Sequence, residues 1–157
     1  MKKILFTALI CSSVILSFGQ VLEPASWNFE ATNNKVGIGD TIELIFIAEL
    51  EDTWHLYAVD LDPDIGPLPT SFEFAPHPGY ELVGEVIQED VHQKYDNTWK
   101  DTVRYFSEKA VFRQKIRILS ETVFVKVFYE YLTCTTVDGM CIPGDGEYVF
   151  SEIEVIN

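Results

Sequence analysis

From Thr41 to Leu50 apolar and polar residues alternate, with Ile42, Leu44, Phe46 and Leu50 on one face and Thr41, Glu43 and Glu49 on the other. A period of two is what a strand with one buried face requires, and a helix cannot satisfy it. The same habit recurs along the chain. Trp54 to Val59, Thr70 to Phe74, Tyr80 to Gln88, Val111 to Leu119, Val123 to Thr133 and Glu147 to Ile156 are further strands by this reading. Turns rich in Pro and Gly, such as Pro67-Leu68-Pro69 and Pro76-His77-Pro78-Gly79, separate several of them. No helical period, repeat or linker interrupts the series. The pattern predicts an all-β fold, an immunoglobulin-like antiparallel β-sandwich.

The segment from Val91 to Phe106 lacks this alternation and is expected to be a long loop. Loops of that length in a small domain are usually functional or disordered, and Tyr95 and Trp99 argue against plain disorder.

The amino terminus reads as a secretory signal. Lys2 and Lys3 precede an uncharged apolar run from Ile4 to Phe18, and Ser17 and Gly19 are the small residues of a cleavage site. The run is short for a membrane span. Cys11 lies inside it, and Ile10 is too large for the residue before a lipidated cysteine. Residues 1–19 are therefore expected to be a signal peptide and 20–157 a single domain. Removing Lys2 and Lys3 leaves 9 basic residues against 25 acidic ones, a net charge of −16. Such a surface repels nucleic acid and anionic membrane, and keeps an exported, periplasmic or extracellular protein soluble.

Two cysteines then remain, Cys134 and Cys141, in a compartment that favours disulfides. Asp138-Gly139 between them is a strong turn signal. A two-residue turn there would leave the cysteines diagonal, about 7–8 Å apart. A four-residue loop from Thr136 to Gly139 pairs Thr135 with Met140 and sets Cys134 opposite Cys141, which is the register expected. Val123, Val125, Val127, Tyr129 and Tyr131 form the core face of the strand; Cys134 has the other parity, with Lys126 and Glu130. The pair is thus expected on the outside of a sheet, near a strand end. A structural bond closing so short a loop is worth roughly 2.5 kcal/mol by loop entropy. A redox pair is the other reading, and the residues alone leave both open. No Lys, Arg or His lies near the pair in sequence, so any activation must come from the fold or a docked partner.

Other chemistry is weakly supported. Asp60, Asp62 and Asp64 with Gly66 hint at a calcium loop, but the glycine is one place late and Ser71 stands where a bidentate glutamate is needed. His55, His77 and His92 are too scattered for a zinc site with the cysteines. Neither a metal nor a cofactor is expected.

The run Tyr131-Leu132-Thr133-Cys134, six residues, then Cys141-Ile142-Pro143 resembles the cysteine hairpin of the amino-terminal periplasmic domain of the thiol:disulfide interchange protein DsbD. Asp52-Thr53-Trp54-His55-Leu56-Tyr57, Gly66 to Phe72, Tyr80 to Gly84, and Lys94-Tyr95-Asp96 with Trp99 extend the similarity over most of the chain. The resemblance implies an immunoglobulin-like fold and the transfer of reducing equivalents through Cys134 and Cys141. It implies a pocket lined by His55, Tyr57 and Asp96, and a cap loop carrying Tyr95 and Trp99. The partners implied are proteins, either a membrane electron carrier or thioredoxin-like proteins. Two details depart from the family: one more residue than usual separates the cysteines, and Gly144 stands where a second proline is common. The chain ends at Asn157 without the family's membrane and thioredoxin-like domains, so a stand-alone module that borrows its partner is expected. The alternative from another class is a non-catalytic immunoglobulin-like binding domain with a structural disulfide.

Overall fold

A computed structural model of the chain describes residues 22–156, so the expected signal peptide lies outside the described residues. In chain order the strands are β1 (Ala25–Ala31), β2 (Lys35–Val36), β3 (Thr41–Leu50), β4 (Trp54–Tyr57), β5 (Ser71–Phe74) and β6 (Tyr80–Glu89). They continue as β7 (His92–Asp96), β8 (Asp101–Ser107), β9 (Lys109–Ile118), β10 (Val125–Thr135), β11 (Cys141–Phe150) and β12 (Glu154–Val155).

One sheet has the order β1-β3-β9-β6, and the second runs β11-β10-β4-β8-β7 with β5 also paired to β10. Every pairing in these two sheets is antiparallel. Their inner faces close on an aromatic core. Phe46 of the first sheet packs on Phe72 of the second at 4.5 Å between ring centroids, and Phe112 lies 5.2 Å from Phe72. Phe29 stacks on Tyr148 at 4.2 Å, which joins the edge strands β1 and β11. Burial of these rings is the main cohesive term, since each removes a large apolar area from water.

The alternation in β3 is realised, with Ile42, Leu44 and Phe46 buried. β10 likewise buries Val125, Val127 and Tyr131. Two expectations need correction. The segment from Val91 to Phe106 is not a loop but the hairpin of β7 and β8. Its strands extend the second sheet at its edge, and β7 buries no side chain there, so the apolar pattern of a core strand is missing. β1 is a strand beyond those expected, and in it Trp27, Phe29 and Ala31 alternate with Ser26, Asn28 and Glu30.

Candidate functional site

The β10–β11 hairpin has the register that the four-residue loop requires. Cys134 pairs with Cys141, and the Thr135 N–H donates to the Met140 carbonyl at 2.9 Å. Gly139 takes a φ of 75° at the loop's end, a conformation that glycine adopts without steric cost. The Asp138 carboxylate accepts the Met140 N–H at 3.0 Å, and the Thr136 N–H donates to the Thr53 carbonyl at 2.9 Å. These bonds fix the loop from both sides. The two cysteines form a disulfide with a Cα–Cα distance of 4.1 Å.

Cys134 is on the outer face of the sheet, as its parity predicts, yet only 3% of it is exposed. The cover is a second, small apolar cluster of Cys134, Tyr57 and Val103, with Trp99, Tyr105, Leu132 and Leu61 around it. β8 supplies Val103 and Tyr105 to this cluster from one face and Phe106 to the main core from the other. Cys141, by contrast, is exposed.

The tip of the β7–β8 hairpin places Trp99 over the pair. Asp96 Oδ1 accepts the Thr98 N–H at 2.8 Å, and the Lys100 N–H returns to the Asp96 carbonyl at 2.7 Å. Lys100 has a φ of 56°, which completes the tight turn. This is an aspartate-led turn in which the side chain replaces a backbone acceptor.

Together these elements enclose a cavity of roughly 270 Å³. Its lining includes Cys134, Cys141, His55, Tyr57, Asp96 and Trp99. The structure therefore gathers most of the residues singled out from the sequence in one place. Tyr95 is the exception: it alternates with Lys94 and Asp96 along β7, is 62% exposed, and lies away from the cavity. Lys94 and Thr98 line it instead, with Thr135, Thr136 and Gly139 from the cysteine hairpin. Lys94 had a readable signal, for it shares strand parity with Asp96, but only once the segment is taken as a strand.

The fold brings charge to a pair that has no basic residue near it in sequence. Lys94 Nζ lies 3.8 Å from the Asp96 carboxylate and 4.8 Å from the centre of the Tyr105 ring. His55 is opposite Cys134 in the β4–β10 pairing, and its Nε2 is 3.2 Å from the Tyr57 hydroxyl. Burial lowers the His55 pKa to about 4; the Lys94 charge adds to this and the Asp96 charge opposes it. The imidazole is neutral at pH 7. Burial raises the Tyr57 phenol; hydrogen bonding from the Trp99 side chain opposes this and the Asp96 charge reinforces it. For Asp96 burial acts upward, but the Thr98 N–H and hydroxyl, Lys94 and the Trp99 N–H outweigh it, so its carboxyl titrates below the ordinary value.

A family profile described as the N-terminal domain of the thiol:disulfide interchange protein DsbD matches residues 23–152. Among curated proteins, none matches the sequence significantly. Among solved structures, the reduced N-terminal domain of DsbD from Neisseria meningitidis is similar at 18% identity and a TM-score of 0.51, over 74% of this chain and 80% of that one. The N-terminal periplasmic domain of ScsB from Proteus mirabilis is similar at 14% identity and a TM-score of 0.57, over 87% of this chain and 51% of that one. The fold is the immunoglobulin-like β-sandwich of these domains. With a profile match over most of its length and a disulfide in the matching hairpin, this chain belongs to the family of DsbD N-terminal domains.

Proposed function

We propose that the protein is an extracytoplasmic module for thiol–disulfide exchange, passing reducing equivalents between protein partners through Cys134 and Cys141. The observation that carries this reading is the asymmetry of the bond. Cys134 is buried while Cys141 is exposed, and both face one cavity beneath Trp99. A purely structural bond has no need of a cavity on its outer side or of a hairpin tip folded over it.

The exposed sulfur is the electrophile. A partner thiolate attacks Cys141 Sγ, and the bonding pair of the disulfide leaves on Cys134 Sγ. The partner's second thiolate then attacks the partner's own sulfur in the mixed disulfide and releases Cys141 as a thiolate. Two electrons pass from the partner to the pair, and in the reverse direction the reduced pair reduces a client. Trp99 shields the bond from adventitious thiols until a partner displaces it. A net charge of −14 over the whole chain disfavours small anionic thiols, which leaves docked proteins as partners, either thioredoxin-like proteins or a membrane carrier. Residues 1–19 serve as the export signal in this account, in keeping with the periplasmic domain of ScsB that the fold resembles.

The competing reading is a binding domain stapled by its disulfide, favoured by the near-complete burial of Cys134. Mild reductant separates the two. Exchange predicts that the bond opens in the folded protein, with the near-ultraviolet signal of the aromatic core retained. A bond that stays closed until the protein unfolds contradicts it.

A further inference from the structure

The cavity wall holds a nitrogen that packing does not explain. His55 is 5% exposed, and among the described residues its Nδ1 is buried without a hydrogen-bond partner. Its Nε2 is already engaged with the Tyr57 hydroxyl. Buried polar atoms without partners are rare, and in a reactive site they mark a place where charge or a proton arrives.

Cys134 is the group beside it in the fold. Register sets His55 and Cys134 opposite each other on adjacent strands, on one face of the sheet, and both line the same cavity. While the disulfide is closed, the Cys134 sulfur is neutral and a weak acceptor. When the bond opens, that sulfur receives an electron pair and a full negative charge in a site that is nearly dry.

We propose that His55 is the proton partner of Cys134, its Nδ1 taking up a proton and holding it against the Cys134 sulfur when the disulfide opens. The inference deepens the exchange reading and rests on it for its purpose. The partner's first thiol ionises and its sulfur bonds to Cys141 Sγ, while the disulfide pair leaves on Cys134. The proton freed at that step goes to His55 Nδ1. The partner's second thiol ionises as it closes the partner disulfide, and its proton neutralises the departing Cys141 thiolate. Two electrons and two protons have then moved, and nothing further is consumed.

The surroundings allow this without forcing it. In the closed state burial and Lys94 keep the imidazole neutral, so that it has a free site for a proton. Asp96, on β7 like Lys94, favours the imidazolium. The Tyr57 hydroxyl fixes the ring through Nε2, and the Tyr105 ring from β8 packs against it edge-on at 5.5 Å between centroids. Glu51, Asp52 and Glu108 share the neighbouring groove with His55 and lend further negative charge on that side. Among the described residues that line the cavity Lys94 is the one Lys or Arg, and it competes for the Cys134 thiolate.

The test is a titration of the full chain in two redox states. Histidine labelled with ¹⁵N reports the protonation of His55 in the oxidised protein and after chemical reduction. The expected midpoint is near pH 4 when oxidised, and about one unit higher or more when reduced, as for a group that gains an opposite charge close by. In Cys141→Ser the Cys134 thiol is free without any opening, and its thiolate absorbance in the ultraviolet should have a midpoint at least about tenfold lower in proton affinity with His55 than in the Cys141→Ser, His55→Phe double variant. The same His55 midpoint in both redox states, or a Cys134 midpoint indifferent to His55→Phe, overturns the inference. Neither measurement needs an exchange partner. Coupling without exchange would contradict the proposed function alone.

Discussion

Cys134 and Cys141 are direct cross-strand partners, 4.1 Å apart at Cα, yet one is buried and the other is exposed. The difference arises on the outer face of the sheet. The β7–β8 hairpin covers the end of β10, and it leaves the start of the edge strand β11 open.

This asymmetry predicts which sulfur a partner captures. In the reduced protein, alkylation followed by peptide mapping should show Cys141 modified on the order of ten times faster than Cys134, since access governs reactivity at comparable thiolate content. Cys134→Ser should still form a mixed disulfide by attacking a partner's disulfide and releasing one partner thiolate, and Cys141→Ser should not. Equal labelling of the two would contradict the assignment.

Trp99→Ala should uncover the bond. Opening by a mild reductant should accelerate by roughly tenfold, while global stability falls by only about 1–2 kcal/mol, because the residue is a half-buried hairpin tip rather than a core side chain. Stopped-flow reduction beside urea denaturation measures both. An unchanged opening rate would remove the cap from the account.

How much of this was legible in the sequence depended on which face a residue serves. The loop from Thr136 to Gly139 and the pairing of Cys134 with Cys141 follow from turn chemistry and period two, and both are present. The hairpin of β7 and β8 was not legible as strands. β7 is the edge strand of its sheet, with His92, Gln93 and Tyr95 exposed, and such a strand has no buried face to impose alternation of apolar residues. For the same reason Lys94 carries no signal as a cavity residue in the sequence read as a loop, and Tyr95, expected in the cap loop with Trp99, is not in the cavity lining. β1 was legible through the alternation of Trp27 and Phe29 with Ser26, Asn28 and Glu30.

Burial of neutral His55 links stability to pH. Its pKa is about 4 in the folded protein against an ordinary 6.5. The unfolded chain therefore binds the extra proton first, and stability is lost as pH falls from about 6.5 towards 4. The loss has a limit of roughly 3–4 kcal/mol for a shift of that size. Chemical denaturation of the oxidised protein at several pH values should show this slope, and His55→Phe should flatten it. A variant with the same slope would show that other groups carry the dependence.

Glycine at position 144 has a local cause. It pairs with Tyr131 across β10 and β11, and a Cβ at Gly144 would overlap the Tyr131 ring. Gly144→Ala should destabilise the protein by about 1–3 kcal/mol through overpacking. At Gly139 nothing lies within 4 Å of an added Cβ, and alanine there should cost only about 1 kcal/mol from its positive φ. Thermal unfolding of the two variants checks the order.

The reduction potential of the native Cys134–Cys141 pair tests the exchange reading most directly, by equilibrating the folded protein against a thiol–disulfide buffer. The account predicts a value between about −180 and −280 mV, within the range of proteins that trade electrons with one another. A potential below about −300 mV, where structural disulfides lie, would contradict it.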